Sequence, residues 1–311
     1  MSADGSFPGL SLNFGVPADG KASVAKITKT ILDDVFLGKG SKSGEAFLPF
    51  YRDVTKINVP DIIPHFSVPD KFQAEYFTIN GYTGMFWDLM TYFTSQPLGE
   101  MFVYDAEDAP VMVFRVAPFK DTSGSVIFPA MEPELPTIGV DPSIVSAYSM
   151  GRTDQQVLNY FFSMSDAASS NGSSALAYAT KKLDLLTWTP FSGGGTSDNP
   201  YWSSQSVKKF GLKPINIGSP WIQLWTQKDD SARQNATELS NFMGKAFDHN
   251  QDLIAGQLTV HGDEAFIPGR YARFSDAEFY LEQVSEVFQF IGSSSPSWTA
   301  MLNVTRGQSF S

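Results

Sequence analysis

Three histidines, one glycine-rich loop and a few acidic pairs are the residues of this chain whose types and spacing could support chemistry. His261-Gly262-Asp263-Glu264 sets an imidazole beside two carboxylates, a combination that can hold a cation. The other histidines, His65 and His249, stand at no metal-ligand spacing, and a polar turn between strands accounts for the tetrapeptide. Asp105 with Glu107, and Glu282 with Glu286, are carboxylate pairs of the kind glycoside hydrolysis needs. Turns and solvated strand faces carry such pairs without catalysis. Gly38-Lys39-Gly40-Ser41-Lys42-Ser43-Gly44 has the composition of a phosphate cradle but not its order: Lys39 is followed by Gly40, and residue 33 is Asp. No G-x-S-x-G elbow is present. With no cysteine, disulfides and thiolate metal sites are excluded. The expectation is a chain with no catalytic, cofactor-binding or metal-ligating residue, and so not an enzyme.

Something other than chemistry must then explain the composition. The 311 residues are 42% hydrophobic and 14% aromatic, with 26 Phe and only 18% charged residues. That supports a sizeable core, or a subunit that buries surface against partners. The net charge of −11 argues against gripping nucleic acid by phosphate neutralisation. No run approaches the roughly 18 apolar residues that span a bilayer, and the N-terminus lacks the pattern of a signal peptide. A soluble protein without a membrane anchor, made in the cytoplasm, is expected.

The elements that would position these residues are mostly strands. Residues 1–20 read as a flexible N-terminal arm. Val24, Ile27, Ile31, Leu32 and Val35 recur at helical spacing, with Ser23 as a cap and the loop from Gly38 as the stop. Residues 52–80 read as extended pieces broken by Pro60, Pro64 and Pro69. A second helix is expected from about Thr83, then strands at Met101–Tyr104 and Val111–Val116. Residues 117–143 read as a connector. Strand signals return at Ile144–Ser149 and Val157–Met164, a long polar loop fills 165–205, and a third helix spans about 231–247. Strands at 252–260 and 269–274 lead to a final hairpin. Its arms are Glu278–Phe290 and Trp298–Gly307. Strict alternation puts Phe279, Leu281 and Gln283 on one face of the first arm, and Tyr280, Glu282 and Val284 on the other. In the second arm Trp298, Ala300, Leu302 and Val304 share a face.

Four segments in order carry a resemblance. They are Phe86-Trp87-Asp88-Leu89-Met90 leading to Gly99–Asp105; Val113-Phe114-Arg115-Val116-Ala117-Pro118-Phe119; Gly151-Arg152-Thr153-Asp154 before Asn159-Tyr160-Phe161-Phe162; and Val304-Thr305-Arg306-Gly307. In order and spacing this resembles the baseplate hub proteins of contractile phage tails, over roughly residues 21–307. The stretches Gly256–Gly262 and Pro268–Tyr271 also look like that family's final barrel. Taken for themselves, Gly151 would allow a backbone angle that other residues resist, Asp154 and Arg152 would hold a turn, and Asn159 would tie that turn to the ladder.

The resemblance implies a mainly β fold with some α (α+β): an antiparallel β-barrel of the tail-tube/hub type plus a smaller mixed α/β domain. The expected division is the arm at 1–20, a mixed domain at 21–120, a connector at 121–136 and the barrel at 137–307, the barrel carrying the inserted loop and helix. It implies a structural hub in the virion tail baseplate, as a homotrimer joining the tail tube protein to the central spike protein. The hub would meet other baseplate proteins and line a channel through which DNA passes without specific binding. The family's first barrel has no counterpart before residue 21, so either a second hub protein supplies the missing barrels or the ring is built another way. The related part of bacterial secretion spikes shares the expected fold. The alternative function is a carbohydrate-binding or glycan-degrading β protein, with six Trp and eleven Tyr as stacking platforms.

Overall fold

The computed structural model describes residues 10–12, 22–39, 47–57, 62–69, 73–74, 79–82, 86–106, 108–128, 135–152, 157–165, 201–221, 231–290 and 296–309. Strands dominate, with a few helices among them. Two short ladders lie in the N-terminal third. In one, β1 (Leu10–Leu12) pairs with β5 (Ile79–Tyr82); in the other, β2 (Ala22–Ser23) pairs with β4 (Gln73–Ala74).

Helix α1 (Val24–Thr30) starts where expected, because the Ser23 hydroxyl accepts the Lys26 N–H at 3.5 Å. It runs on as a π-helix, Ile31–Leu37, and ends at Gly38 with φ 73°, a conformation glycine adopts without cost. Val24, Ile27, Ile31 and Leu32 form its buried stripe. Helix α2 (Phe47–Thr55) is unexpected; Arg52–Thr55 is helical rather than extended. Pro49 sits in its first turn, where no N–H is needed.

Strand β3 (Ile63–Ser67) runs parallel to β7 (Pro110–Val116), and β6 (Gly99–Asp105) runs antiparallel to it. Residues 111–118 are all buried, as a central strand covered on both faces requires. Helix α3 (Phe86–Thr94) packs Leu89, Met90 and Phe93 into the same core.

A second three-stranded sheet joins that core from far along the chain. β10 (Tyr160–Ser165) lies between β11 (Tyr201–Trp202) and β12 (Pro214–Ser219), antiparallel to the first and parallel to the second. Helix α4 (Ser204–Phe210) links β11 to β12, and helix α5 (Ser231–Phe247) packs on β10. Trp221 locks this layer to α3: it is fully buried, and its indole N–H donates to the Phe93 carbonyl at 2.7 Å. Beside it, the Ser95 hydroxyl donates to that of Ser219 at 2.7 Å.

The largest sheet has six strands in the order β8 (Ile138–Gly139), β14 (Tyr271–Phe274), β15 (Ala277–Gln289), β16 (Ser297–Ser309), β13 (Ile254–His261), β9 (Val145–Gly151). Its own core is built from Leu258, Val260, Ala272, Phe279, Leu281, Ala300, Leu302 and Val304. The outermost strands, β8 and β9, are separated in sequence only by residues 140–144, and the rings of Tyr148 and Phe274 meet at 6.1 Å across the sheet. The sheet therefore curls on itself, and among the described residues no hydrogen-bonded ladder closes it.

Two bulges break the alternation of the final hairpin. Gln283 pairs with Asn303 and Leu281 with Val304, so Glu282 is an extra residue on β15. Beyond it Val284, not Gln283, faces Leu302 and the core. On β16, Tyr280 opposes Thr305 and Glu278 opposes Gln308, which leaves an extra residue at Arg306–Gly307. Arg306 takes the left-handed φ of 58° there. Gly307 is required beside it, because a Cβ would stand 2.3 Å from the Phe279 ring.

Candidate functional site

The two cores meet along a polar seam. β7 brings Arg115, only 1% exposed, into an otherwise apolar run. Its Nε donates to Glu100 Oε1 at 2.5 Å, and its Nη2 donates to the Gly269 carbonyl at 2.5 Å. The Tyr280 hydroxyl donates to the other Glu100 oxygen. Burial pushes the Glu100 carboxyl up from its ordinary range, while Arg115 and Tyr280 pull it back. Both carboxylate oxygens accept, so the geometry is that of the ionised form. Burial also pushes the Tyr280 phenol well up, and the Glu100 charge adds to it.

The connector after β7 continues the seam. The Lys120 backbone N–H donates to the Tyr271 hydroxyl at 3.0 Å, and that hydroxyl donates to the Pro118 carbonyl at 3.1 Å. Burial pushes the Tyr271 phenol up to about 12. Lys120 forms an ion pair with Glu278 and lies 4.3 Å from the Tyr271 ring centre. Phe119 is the plug between the layers. Its ring meets Tyr280 at 5.3 Å and Phe247 at 5.7 Å, both edge to face, and the Arg306 guanidinium lies 4.3 Å from its centre.

Away from the seam, the sheet presents unpaired edges. β15 has β14 beside it only over Ala277–Tyr280; from Glu282 to Gln289, among the described residues, it has β16 on one edge and no strand on the other. β9 likewise pairs only with β13 among the described residues, and Ser146–Ser149 are exposed. The hairpin's far end is apolar and open to solvent, with Phe288 57% and Phe290 77% exposed and their rings in contact at 4.9 Å. Across its outer face runs a ladder of amides: Gln257 Nε2 donates to Asn303 Oδ1 at 2.9 Å, and Asn303 Nδ2 to Gln283 Oε1 at 3.0 Å.

The residues singled out in the sequence scatter. His261 sits exposed on the end of β13, with Nδ1 3.0 Å from the Gly262 carbonyl. Asp263 and Glu264 raise the Glu286 carboxyl after burial does, so these three acids lie near one another. His249 lies beside Asp248, with Nε2 3.0 Å from Oδ1, well away in the chain from His261. Among the described residues no group of three or more His, Asp or Glu could hold a metal ion. Glu107 and Asp154 fall outside the described residues.

Gly151 is exposed, has no positive φ, and an added Cβ would meet nothing, so it does not need to be glycine. Arg152 is exposed. Asn159 does tie a turn to a ladder, though a different one from that expected. Fully buried at the start of β10, it accepts from the Lys213 N–H at 2.7 Å and donates to the Gly211 carbonyl at 2.7 Å. The seam escaped sequence reading, although one signal was present: a single arginine in the apolar run 111–116 must find an anion.

No family model matches the chain, and no curated protein sequence matches it. A solved structure that it resembles is the 43 kDa tail protein of prophage MuSo2 from Shewanella oneidensis, at a TM-score of 0.39 and 11% identity. That likeness covers 98% of this chain and 65% of the other, so the chain spans less than two thirds of that protein's length. Among the described residues no helix is long and apolar enough to cross a membrane.

Proposed function

We propose that this chain is a structural hub protein of a contractile phage tail baseplate, assembling as a homotrimer between the tail tube and the central spike and catalysing nothing. The observation that carries the reading is the long hairpin. Its outer edge from Glu282 to Gln289 lacks a strand neighbour among the described residues, and its end exposes Val287, Phe288 and Phe290. Unpaired edges and exposed aromatics are hazards for a free monomer, and both are removed when neighbouring subunits add strands and cover the tip. The ordered motifs from Phe86 to Gly307 support the same reading. The net charge of −11 suits a channel wall along which DNA slides.

Sedimentation and electron microscopy of the purified chain test this. The expected result is a threefold particle of three times the chain's mass that also binds tube and spike proteins. The double variant Phe288→Ser/Phe290→Ser should stay folded and lose that association. A wild-type monomer that ignores tube and spike proteins would overturn the proposal.

A further inference from the structure

The core face of the six-stranded sheet runs on past the end of its core. Beyond the bulge at Glu282, Val284 pairs with Leu302, Glu286 with Ala300 and Phe288 with Trp298. Those residues therefore share the face that buries Leu258 and Val260. β14 leaves β15 at Tyr280 and β13 ends at His261, so the face emerges into solvent at the hairpin's tip. There the Phe288 ring meets those of Phe290 at 4.9 Å and Trp298 at 6.4 Å. Trp298 lies over Gly262, where an added Cβ would stand 2.3 Å from its ring. Three carboxylates border these rings: Glu286, which is hydrogen-bonded to the Trp298 side chain, and Asp263 and Glu264 from the turn after β13. All three are exposed, and among the described residues none forms an ion pair. Burial, then the charges of Asp263 and Glu264, push the Glu286 carboxyl up, so the group lacks a cation near it.

A surface of opposite charge stands on the same chain. Residues 201–221 include Lys208, Lys209 and Lys213 and no acidic residue, in a chain of net charge −11. The three lysines are exposed, and among the described residues none forms an ion pair. Leu212, 45% exposed, stands among them. Beside it Phe210 is half-buried, with the Lys209 ammonium 4.6 Å from its ring centre. This corner is held to the β10 sheet by the bonds of Asn159 to Gly211 and Lys213. The tip, by contrast, is carried away from the seam by the strand from Tyr280 to Phe288, about 26 Å at about 3.3 Å per residue.

A threefold ring cannot join a patch to its own copy. Each contact is heterologous, one surface of a subunit against a different surface of the next. A trimer that covers the tip therefore needs a receiving surface elsewhere on this chain, and the Lys208–Lys213 corner matches it in both exposed apolar groups and opposite charge. We infer that the tip of one copy docks on the Lys208–Lys213 corner of the next, its rings against Leu212 and Phe210 and its carboxylates against the lysines. The inference rests on the homotrimer of the proposed function, and not on its tube and spike partners.

Sedimentation of the full-length chain with exposed charges reversed tests this contact. Glu264→Lys/Glu286→Lys reverses the tip and spares Asp263, whose Oδ1 accepts the Ala265 N–H at 2.9 Å. Lys208→Glu/Lys213→Glu reverses the corner. Either pair alone sets like charges together and should weaken self-association about tenfold or more. All four changes in one chain restore opposite charges and should bring association back to within about threefold of wild type. Lys208→Gln/Lys213→Gln, which introduces no repulsion and loads no new charge on the fold, should weaken it by a smaller factor. Raised salt should weaken the wild type and the fourfold variant alike. A trimer indifferent to either reversal, or one that the fourfold variant does not restore, would overturn the contact and leave the tail assignment standing. A wild-type monomer that still binds tube and spike proteins would overturn it too, and would give the tip to a partner of another sequence. A charge-dependent trimer that ignores tube and spike proteins supports the contact and counts against the tail assignment.

Discussion

Arg115 and Gly269 stand 154 residues apart, yet the Arg115 Nη2 donates to the Gly269 carbonyl at 2.5 Å and so bonds the central strand of one sheet to the loop that opens β14 in another. The same glycine has φ 80°, and a Cβ there would stand 2.6 Å from the Phe102 ring and 2.8 Å from Arg115 Nη2. Gly269→Ala therefore combines backbone strain with overpacking at the junction. It should destabilise the fold by about 2–4 kcal/mol, measured by denaturant unfolding. A loss below about 0.5 kcal/mol would mean that the junction is not rigid there.

The partner of Arg115 gives a non-additive prediction. Arg115→Met should cost about 3 kcal/mol or more, because it leaves the Glu100 carboxylate buried with only Tyr280 to hold it. The double variant Arg115→Met/Glu100→Leu removes both charges and should recover most of that loss. Additive losses in the double-mutant cycle would show that the pair does not act as a unit.

Only part of this architecture is legible in the sequence. The terminal hairpin is, because the alternating runs Glu278–Phe290 and Trp298–Gly307 have no helical reading, and α5 is, because Leu239, Met243, Ala246 and Phe247 recur at helical spacing. Alternation misleads at Glu282, where one extra residue reverses the faces of everything beyond it, and the sequence carries no mark of that bulge. α4 and β12 are too short and too polar to stand out, and the long-range layer they build with β10 is a tertiary outcome. The seam is invisible for the same reason. Glu100 and Tyr280 are separated by 180 residues, and only packing around Phe119 brings them together.

Trp221 offers a direct probe of that second layer. Its ring is fully buried and its N–H satisfies the Phe93 carbonyl beyond the end of the α3 hydrogen-bond ladder. Trp221→Phe shrinks the ring and removes that hydrogen bond. A loss of about 2 kcal/mol or more is expected in chemical denaturation, from the smaller side chain and the lost hydrogen bond together. Trp221→Leu, which removes the aromatic ring altogether, should cost more. Equal stability of wild type and Trp221→Phe would show that β12 does not depend on its tie to α3.

Asp248 sets a pH dependence of the unusual sign for a carboxylate. The Tyr201 hydroxyl donates to its Oδ2 at 2.8 Å, and the side chain is buried at the end of α5. Burial pushes its carboxyl up from the ordinary value; the Tyr201 bond and His249 oppose that, and Asp252 adds to it. A folded-state value above the unfolded one means that folding favours the protonated form. The stabilising contribution is therefore complete below the unfolded pKa and is lost as pH rises through the folded pKa. Asp121 and Asp141, whose carboxyls are held below the ordinary range by hydrogen bonds to Ser123 and Ser143, act oppositely and only at more acid pH. Asp248→Asn keeps an acceptor for Tyr201 and removes the titration. In urea melts from just above pH 4 to neutrality, the difference in stability between variant and wild type should grow in favour of the variant as pH rises. A difference that stays constant over that range would show that Asp248 titrates alike in the folded and unfolded chain.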